Sequence, residues 1–463
     1  MSVAPVLLRR ANLGPLLLVN MGVITHALVW YLVNTAMPSA VQELNAAAFI
    51  SWSTSVYLVC SILGGASMAP CKSRYGARKT TLGAGLVVLA GGLLGAAAPT
   101  ILLVLAGRAL QGLGEGLLVA LSYALVRELF ANALVPRVFA TQALSWGIAL
   151  AVGPLAGGWL TQTWSWRAAF IGAAMVPLPM LLLGMRTLRG ALGDASATGH
   201  SAPLGRILLL ALGVMLIAAA DRFGVLAFGL TSVLGGLLLV ALVLRIDRTR
   251  APHLFPTAFP GLRHPASLGL WVMLLMPLAH APVYTYIPYI VQMHRGLSPT
   301  MAGYVGVVHA MTWVLAATLV SNLPALWQKR AMLAGPVLLV LGLALLALTL
   351  ATQPLALVCL ALALVGAGFG VSNAFLSQRV LAAAQPGQED ATAGSIGTLP
   401  QLGGAISAAL AGIAGNAIGL DQVLTDDKVA RAALALFGGG TMLALLACVL
   451  ALRLARAGRP GLS

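Results

Sequence analysis

The sequence predicts an all-α polytopic membrane protein with fourteen transmembrane helices arranged as six, two and six. Three observations predict it. Hydrophobic residues make up 60% of the chain and charged residues only 8%, too few to clothe a water-facing surface. Apolar runs of about 20 residues recur from end to end, the length a helix needs to cross a hydrocarbon layer about 30 Å thick. Finally, the basic residues alternate between crowded loops and nearly empty ones, as a fixed topology requires.

The first six runs are 13–37, 47–68, 80–98, 100–126, 138–160 and 168–185. A pair follows at 204–220 and 223–244, joined by a short Asp221-Arg222 turn, and six more close the chain at 268–290, 302–320, 331–350, 354–376, 391–413 and 432–452. Gly, Ser, Asp and His in 186–203, and Pro, Arg and His in 245–265, read as linkers on either side of the pair. The expected organisation is therefore an N-terminal six-helix bundle over 1–186, linkers with an accessory transmembrane hairpin over 187–266, and a C-terminal six-helix bundle over 267–463. Two structural repeats around an inserted pair account for such an order, although the halves share little sequence.

The net charge of +16 is a matter of topology once it is placed. Of 27 Lys and Arg, 21 fall in one set of alternate loops and 5 (Arg167, Arg222, Arg295, Lys428 and Arg431) in the other, with Arg108 inside a span. The crowded side is cytoplasmic by the positive-inside rule, so both termini are expected there, and nucleic acid is not implied. The N-terminal apolar run continues past the length of a cleavable signal into the polar positions His26, Trp30, Tyr31 and Asn34. Cys60, Cys71, Cys359 and Cys448 lie in or beside spans without metal-ligand spacing, so disulfides, a metal site and a cofactor are not expected. The use of 23 Arg against 4 Lys suggests a GC-rich bacterial genome, hence a bacterial inner membrane.

Three stretches carry chemistry. In LAGRALQGLGEGLLVALS, residues 105–122, the helical period sets Arg108, Gln111, Glu115 and Ser122 on one stripe of an apolar helix, where an ion is costly and is expected to face an internal cavity. In APCKSRYGARKTTL, residues 69–82, four basic residues hold a short turn on the cytoplasmic side, and Gly76 permits the bend. In GIALAVGPLAGGWL, residues 147–160, Gly153, Gly157 and Gly158 offer a groove for a neighbouring backbone and Pro154 bends the helix. Read alone, the second is a topology anchor and the third a small-residue packing face.

Together these segments resemble the major facilitator superfamily, and the fourteen spans resemble its drug:proton antiporter branch. RALQGLGEG at 108–116 is similar to the family's span-4 motif. Gly147 and the GPLAGG run of Gly153, Pro154, Gly157 and Gly158 resemble the span-5 antiporter motif, followed by WRAAF at 166–170. Ser73, Arg74, Gly76, Arg78 and Lys79 resemble the cytoplasmic loop motif. NTAMP at 34–38, WSTSVYL at 52–58 and YIPYIVQMHRGLSPTMAG at 286–303 are similar to other family segments. Two departures stand out: Ser73 replaces the loop motif's acid, and Val29 occupies the position where the branch usually carries an intramembrane Asp.

The resemblance implies a secondary active transporter working by alternating access. It would export small organic, drug-like compounds in exchange for protons, as a monomer in the lipid bilayer. With Val29 apolar, Glu115 is the one carboxylate deep in a span; it either carries the proton or braces a helix, and Arg108 lines or braces the same cavity. His26, His280 and His309 are further proton-coupling candidates because imidazole titrates near neutrality. Trp30, Tyr31, Asn34, Gln111, Trp146, Tyr284, Tyr286, Trp313, Asn373 and Gln401 are candidates for lining an amphipathic substrate cavity, while Trp52 and Trp166 suit interface anchors. A specific metabolite or siderophore carrier, or a uniporter, remains the alternative. Neither an HExxH nor a phosphate-binding loop is present, so an enzyme is not expected.

Overall fold

The computed structural model describes residues 10–131, 134–188, 203–220, 226–251, 253–321 and 323–457. The Asp221-Arg222 turn and nearly all of the 186–203 linker lie outside the described residues. The regular secondary structure among the described residues is helical, as a hydrocarbon solvent demands, because each helix satisfies its own amides internally. The helices before the inserted pair are α1 (Arg10–Glu43), α2 (Ile50–Ala66), α3 (Met68–Ala96), α4 (Ile101–Leu129), α5 (Val135–Thr163), α6 (Trp166–Met175) and α7 (Leu178–Thr187). The pair is α8 (Leu204–Ala219) and α9 (Leu226–Thr249). After it come α10 (Pro265–His280), α11 (Pro282–Met293), α12 (Pro299–Val320), α13 (Ala325–Thr349), α14 (Leu355–Ala382), α15 (Glu389–Ile418), α16 (Asp426–Ala433) and α17 (Gly439–Arg456).

Twelve candidate spans, not fourteen, are counted among the described residues, six on each side of the inserted pair. The sixth span is α6 and α7 run together, the seventh α10 with α11, and the twelfth α16 with α17. Pro177, Pro179 and Pro282 explain the first two breaks, since each lacks the amide that would continue the ladder. The accessory pair corrects the expected count. α8 has 16 residues, about 24 Å of helix, short of the roughly 30 Å a span must cross. α9 has 24 residues, with Arg245, Asp247 and Arg248 following its apolar run, and the residues that join it to α8 lie outside the described ones. Asp247 is buried and accepts hydrogen bonds from the amides of Leu254 and Phe255 at 2.8 and 2.9 Å, folding that end into the strap that precedes α10.

Contacts divide the chain into two compact units. The first comprises Met1–Leu44, Val59–Ile207 and Ser298–Gly303, the second Asn45–Leu58, Leu208–Leu297 and Tyr304–Ser463. In the first unit α3 packs along α4, α1 along α5, and α3 also against α6. In the second, α13 packs along α14, α10 along α15, and α13 also against α17. Counted by span, the same third–fourth, first–fifth and third–sixth pairings therefore recur in each half, a repeat that the divergent side chains conceal. Within the second unit, Ile217 and Ala218 of α8 pack on Ala409 of α15 beside Trp52.

Each unit is tied at its loops. In the first, Glu43 accepts from Trp166 Nε1 at 2.8 Å and pairs with Arg167, which also lies 4.2 Å over the Trp166 ring. Trp166 is thus a buried bracket rather than an interface anchor. In the second, Arg295 donates to the carbonyls of Thr349 and Leu350, and His294 Nε2 lies 3.0 Å from Asp426 Oδ1. Burial holds the Arg295 guanidinium below its ordinary pKa, against the opposing pull of Asp426.

Candidate functional site

The stripe on α4 is wholly buried, with Arg108, Gln111, Glu115 and Ser122 all at 0% exposure. Steps of three, four and seven residues keep the four on one face. Arg108 Nη1 donates to Gln111 Oε1 at 2.9 Å, and its Cζ lies 5.9 Å from the centroid of Trp30 on α1. Two turns beyond Arg108, Glu115 Oε2 stands 3.6 Å from Nδ1 of His26, also on α1. Gln111 Nε2 has no hydrogen-bond partner among the described residues. A guanidinium, an amide, a carboxylate and an imidazole thus share one interior surface between two helices.

Around this core, His26 meets Trp146 of α5 edge-on at 5.6 Å, and Trp146 Nε1 donates to Tyr123 Oη of α4 at 3.2 Å. Asn20 binds α1 to α5, donating to Thr141 Oγ1 at 3.1 Å and accepting from Ser145 at 2.8 Å. Asn34 is buried and its Nδ2 has no partner among the described residues, while Tyr31 is half-buried. Val29 is buried on the same helix.

The remaining candidates lie in the second unit. His280, Tyr284, His309 and Trp313 gather there into one ring cluster with Phe369 of α14. Tyr286 stands apart from it, donating to the Ala411 carbonyl at 3.1 Å. Gln401 is half-buried and Asn373 exposed.

The two glycine-bearing motifs act on the backbone. Gly76 has φ +76°, which lets α3 turn sharply between its basic first turns and its apolar length. Ser73 donates to the Pro70 carbonyl at 3.1 Å; Arg74, Arg78 and Lys79 are exposed. Where the loop motif lacks its acid, Lys72 pairs with Glu128 and ties the start of α3 to the end of α4. In the span-5 motif, a Cβ at Gly157 would lie 2.5 Å from the Leu32 carbonyl oxygen and one at Gly153 the same distance from Tyr31 Cβ. At Gly158 the close neighbour is the Pro299 carbonyl, also 2.5 Å, and Gly147 is half-buried. Gly157→Leu is therefore expected to force α1 and α5 apart and to lower transport at least about tenfold at matched membrane abundance. Substrate counterflow checks this, and wild-type rates would show that the α1–α5 approach is dispensable.

Phe369, Tyr123 and Asn20 were not singled out from sequence, since a lone aromatic or amide in an apolar run gives no sign of what it faces. Among the described residues no three His, Cys, Asp or Glu side chains gather as metal ligands, and the four cysteines are free.

Twelve candidate spans among the described residues, with Arg108, Glu115, His280 and His309 buried within them, define an integral membrane protein of the polytopic helical class. Its fold matches that of a peptide transporter solved in complex with sulfate, with TM-score 0.68, 16% identity and 96% of each chain covered. It also matches the xylose transporter XylE of E. coli in a partially occluded inward open conformation, with TM-score 0.61, 15% identity, and 95% of this chain and 98% of that one covered. The model of the Major Facilitator Superfamily matches residues 19–408, and the chain belongs to that family. It is accordingly a secondary transporter of small molecules across the bilayer, and not an enzyme. A probable multidrug-efflux transporter of Mycobacterium tuberculosis is 29% identical over 421 residues, covering 87% of this chain and 88% of its own length.

Proposed function

We propose that the protein exports small amphipathic organic compounds in exchange for protons by alternating access. It works as a monomer in a bacterial cell membrane, with both termini cytoplasmic. The observation that carries this reading is the Glu115–His26 pair at 3.6 Å, set in a wholly buried polar stripe. A carboxylate facing an imidazole can hold one proton on either partner without gathering net charge, which suits a proton carrier inside a low-dielectric bundle. The glycine contacts at Gly153 and Gly157 support the antiporter side of the resemblance, and the efflux relative supports the substrate class. Trp30, Tyr31, Trp146 and Asn34 offer stacking faces and a hydrogen-bonding group close to Arg108 and His26, chemistry that accepts flat or cationic compounds.

Purified protein in proteoliposomes tests the reading. A thermal-shift screen of antibiotics, dyes, siderophores and sugars first selects ligands. A pH gradient is then expected to drive saturable movement of the amphipathic ligands, and an ionophore that collapses the gradient to stop it. Current too large for a carrier would make the protein a pore. Saturable flux indifferent to the gradient would favour an uncoupled carrier of a specific metabolite or siderophore, the reading that the buried, apolar Val29 supports.

A further inference from the structure

The Glu115 stripe leaves the histidines of the second unit unused. His280, the last residue of α10, and His309, on α12, are 4% and 2% exposed. Their rings stack, with centroids 5.5 Å apart and planes 21° apart. Three aromatic rings close around them: Tyr284 at 4.9 Å from His280, Phe369 at 4.3 Å from His280, and Trp313 at 6.1 Å from His309. Nε2 of His309 has no hydrogen-bond partner among the described residues, and the His280 ring lies by the carbonyls of Met276 and Pro277, one turn back on α10. A buried imidazole nitrogen without a partner is costly, so His309 Nε2 calls for something that it binds, and the carbonyls beside His280 can accept from a protonated ring.

We propose that His280 and His309 form a single proton-binding site, which takes one proton on either ring and excludes a second. A hydronium ion gives up the proton: one of its O–H bonds breaks as an N–H bond forms on an imidazole lone pair, water is released, and the site gains the positive charge. The rings of Trp313, Phe369 and Tyr284 offset part of the cost of burying that first charge. Two charges on rings 5.5 Å apart repel strongly in a low-dielectric interior, which excludes the second proton.

Among the described residues, Tyr284 is the titratable neighbour in ring contact with the pair. On α11, Tyr286 and Tyr289 donate to the carbonyls of Ala411 and Leu420. Cys359 and Arg379 lie ten residues either side of Phe369 on α14, about 15 Å along the helix. Lys329 and Arg330 on α13, Glu389 and Asp390 on α15, and Arg453 and Arg456 on α17 stand at helix ends. Cys448 sits inside α17, eight residues or about 12 Å beyond Gly440, the position that meets Ala279. Tyr304, five residues before His309, is exposed. The site therefore differs in kind from the Glu115–His26 pair: it becomes cationic when loaded, whereas that pair need not.

The site stands whether or not Glu115 couples transport. The test uses the full chain labelled with 15N-histidine in nanodiscs and follows the ring nitrogens of its seven histidines from about pH 4 to pH 8, the range that brackets an imidazole. His280→Gln and His309→Gln, checked for folding by thermal midpoint, assign the two residues; one well-folded variant suffices, because the other follows by comparison. The expected result is that both rings shift together through one midpoint, each with about half the full amplitude. Rings that stay unshifted across the range, or that protonate fully and independently, would overturn the proposal. Proton-driven export with a silent pair would sink this inference alone. A titrating pair in a gradient-insensitive carrier would sink the antiport reading alone.

Discussion

Glu115→Gln is expected to cut substrate-driven proton movement by at least about tenfold while leaving substrate counterflow within about threefold of wild type. Gln keeps the size of Glu and can still bond to its surroundings, but it has no proton to give or take. Counterflow exchanges substrate for substrate and needs no net proton transfer, so it reports whether the bundle still folds and cycles. The 3.6 Å approach of His26 makes the result informative in both directions. If Glu115 carries the proton, His26 loses its anionic partner in the variant and cannot replace it as a carboxylate. If Glu115 is a brace, Gln serves equally well and coupling is undiminished, which would remove it from the proton path. Pyranine-loaded proteoliposomes give both fluxes from one preparation.

The second large effect is expected at Arg108. Arg108→Met keeps the apolar stem and deletes the charge, the hydrogen bond to Gln111 at 2.9 Å and the contact with the Trp30 ring at 5.9 Å. A hydrogen bond to a buried charge is worth about 1.5–3 kcal/mol, and removing one member of a buried charged network costs about 3–5 kcal/mol because the others remain. Counterflow is accordingly expected to fall by about 100-fold or more. Arg108→Lys should recover only part of it, because an ammonium keeps the charge but not the planar fork that reaches Gln111 and lies beside an indole. Thermal midpoints separate the two origins of a loss. A variant that melts like wild type yet fails to transport places Arg108 in the working surface of the cavity, and one that transports normally shows the stripe to be incidental.

Particular residues show why some of this was legible in the chain and some was not. Arg108, Gln111 and Glu115 could be put on one face because the helical period alone decides it. That Arg108 can reach Gln111 follows from their spacing of three on α4, whereas that His26 stands opposite Glu115 depends on how α1 lies against α4, and no spacing within either helix states it. The histidines followed the same rule. Three intramembrane imidazoles stood out as individuals, but packing sorted them into one that faces a carboxylate and two that stack on each other. Phe369 joined that stack from a glycine-rich helix in which nothing marked its direction.

The expected fourteen spans exceed the twelve counted among the described residues for a different reason. Hydropathy measures how apolar a run is but not how much of it is helical, and α8 closes at 16 residues, short of a span. Asp247 likewise read as a charge in a cytoplasmic linker, when it is a buried cap for the amides of Leu254 and Phe255.

Composition, the length of the apolar runs and the distribution of arginine were enough to establish a polytopic helical membrane protein and to mark its polar span, because hydrocarbon makes each helix satisfy its own backbone and confines charge to few places. Tertiary structure decided which ionisable groups meet. Helices in a bilayer find one another through close glycine contacts and buried polar bonds, as α1 and α5 do at Gly153, Gly157 and Asn20. Such contacts are set by the crossing of two surfaces, and a one-dimensional period describes only one surface at a time.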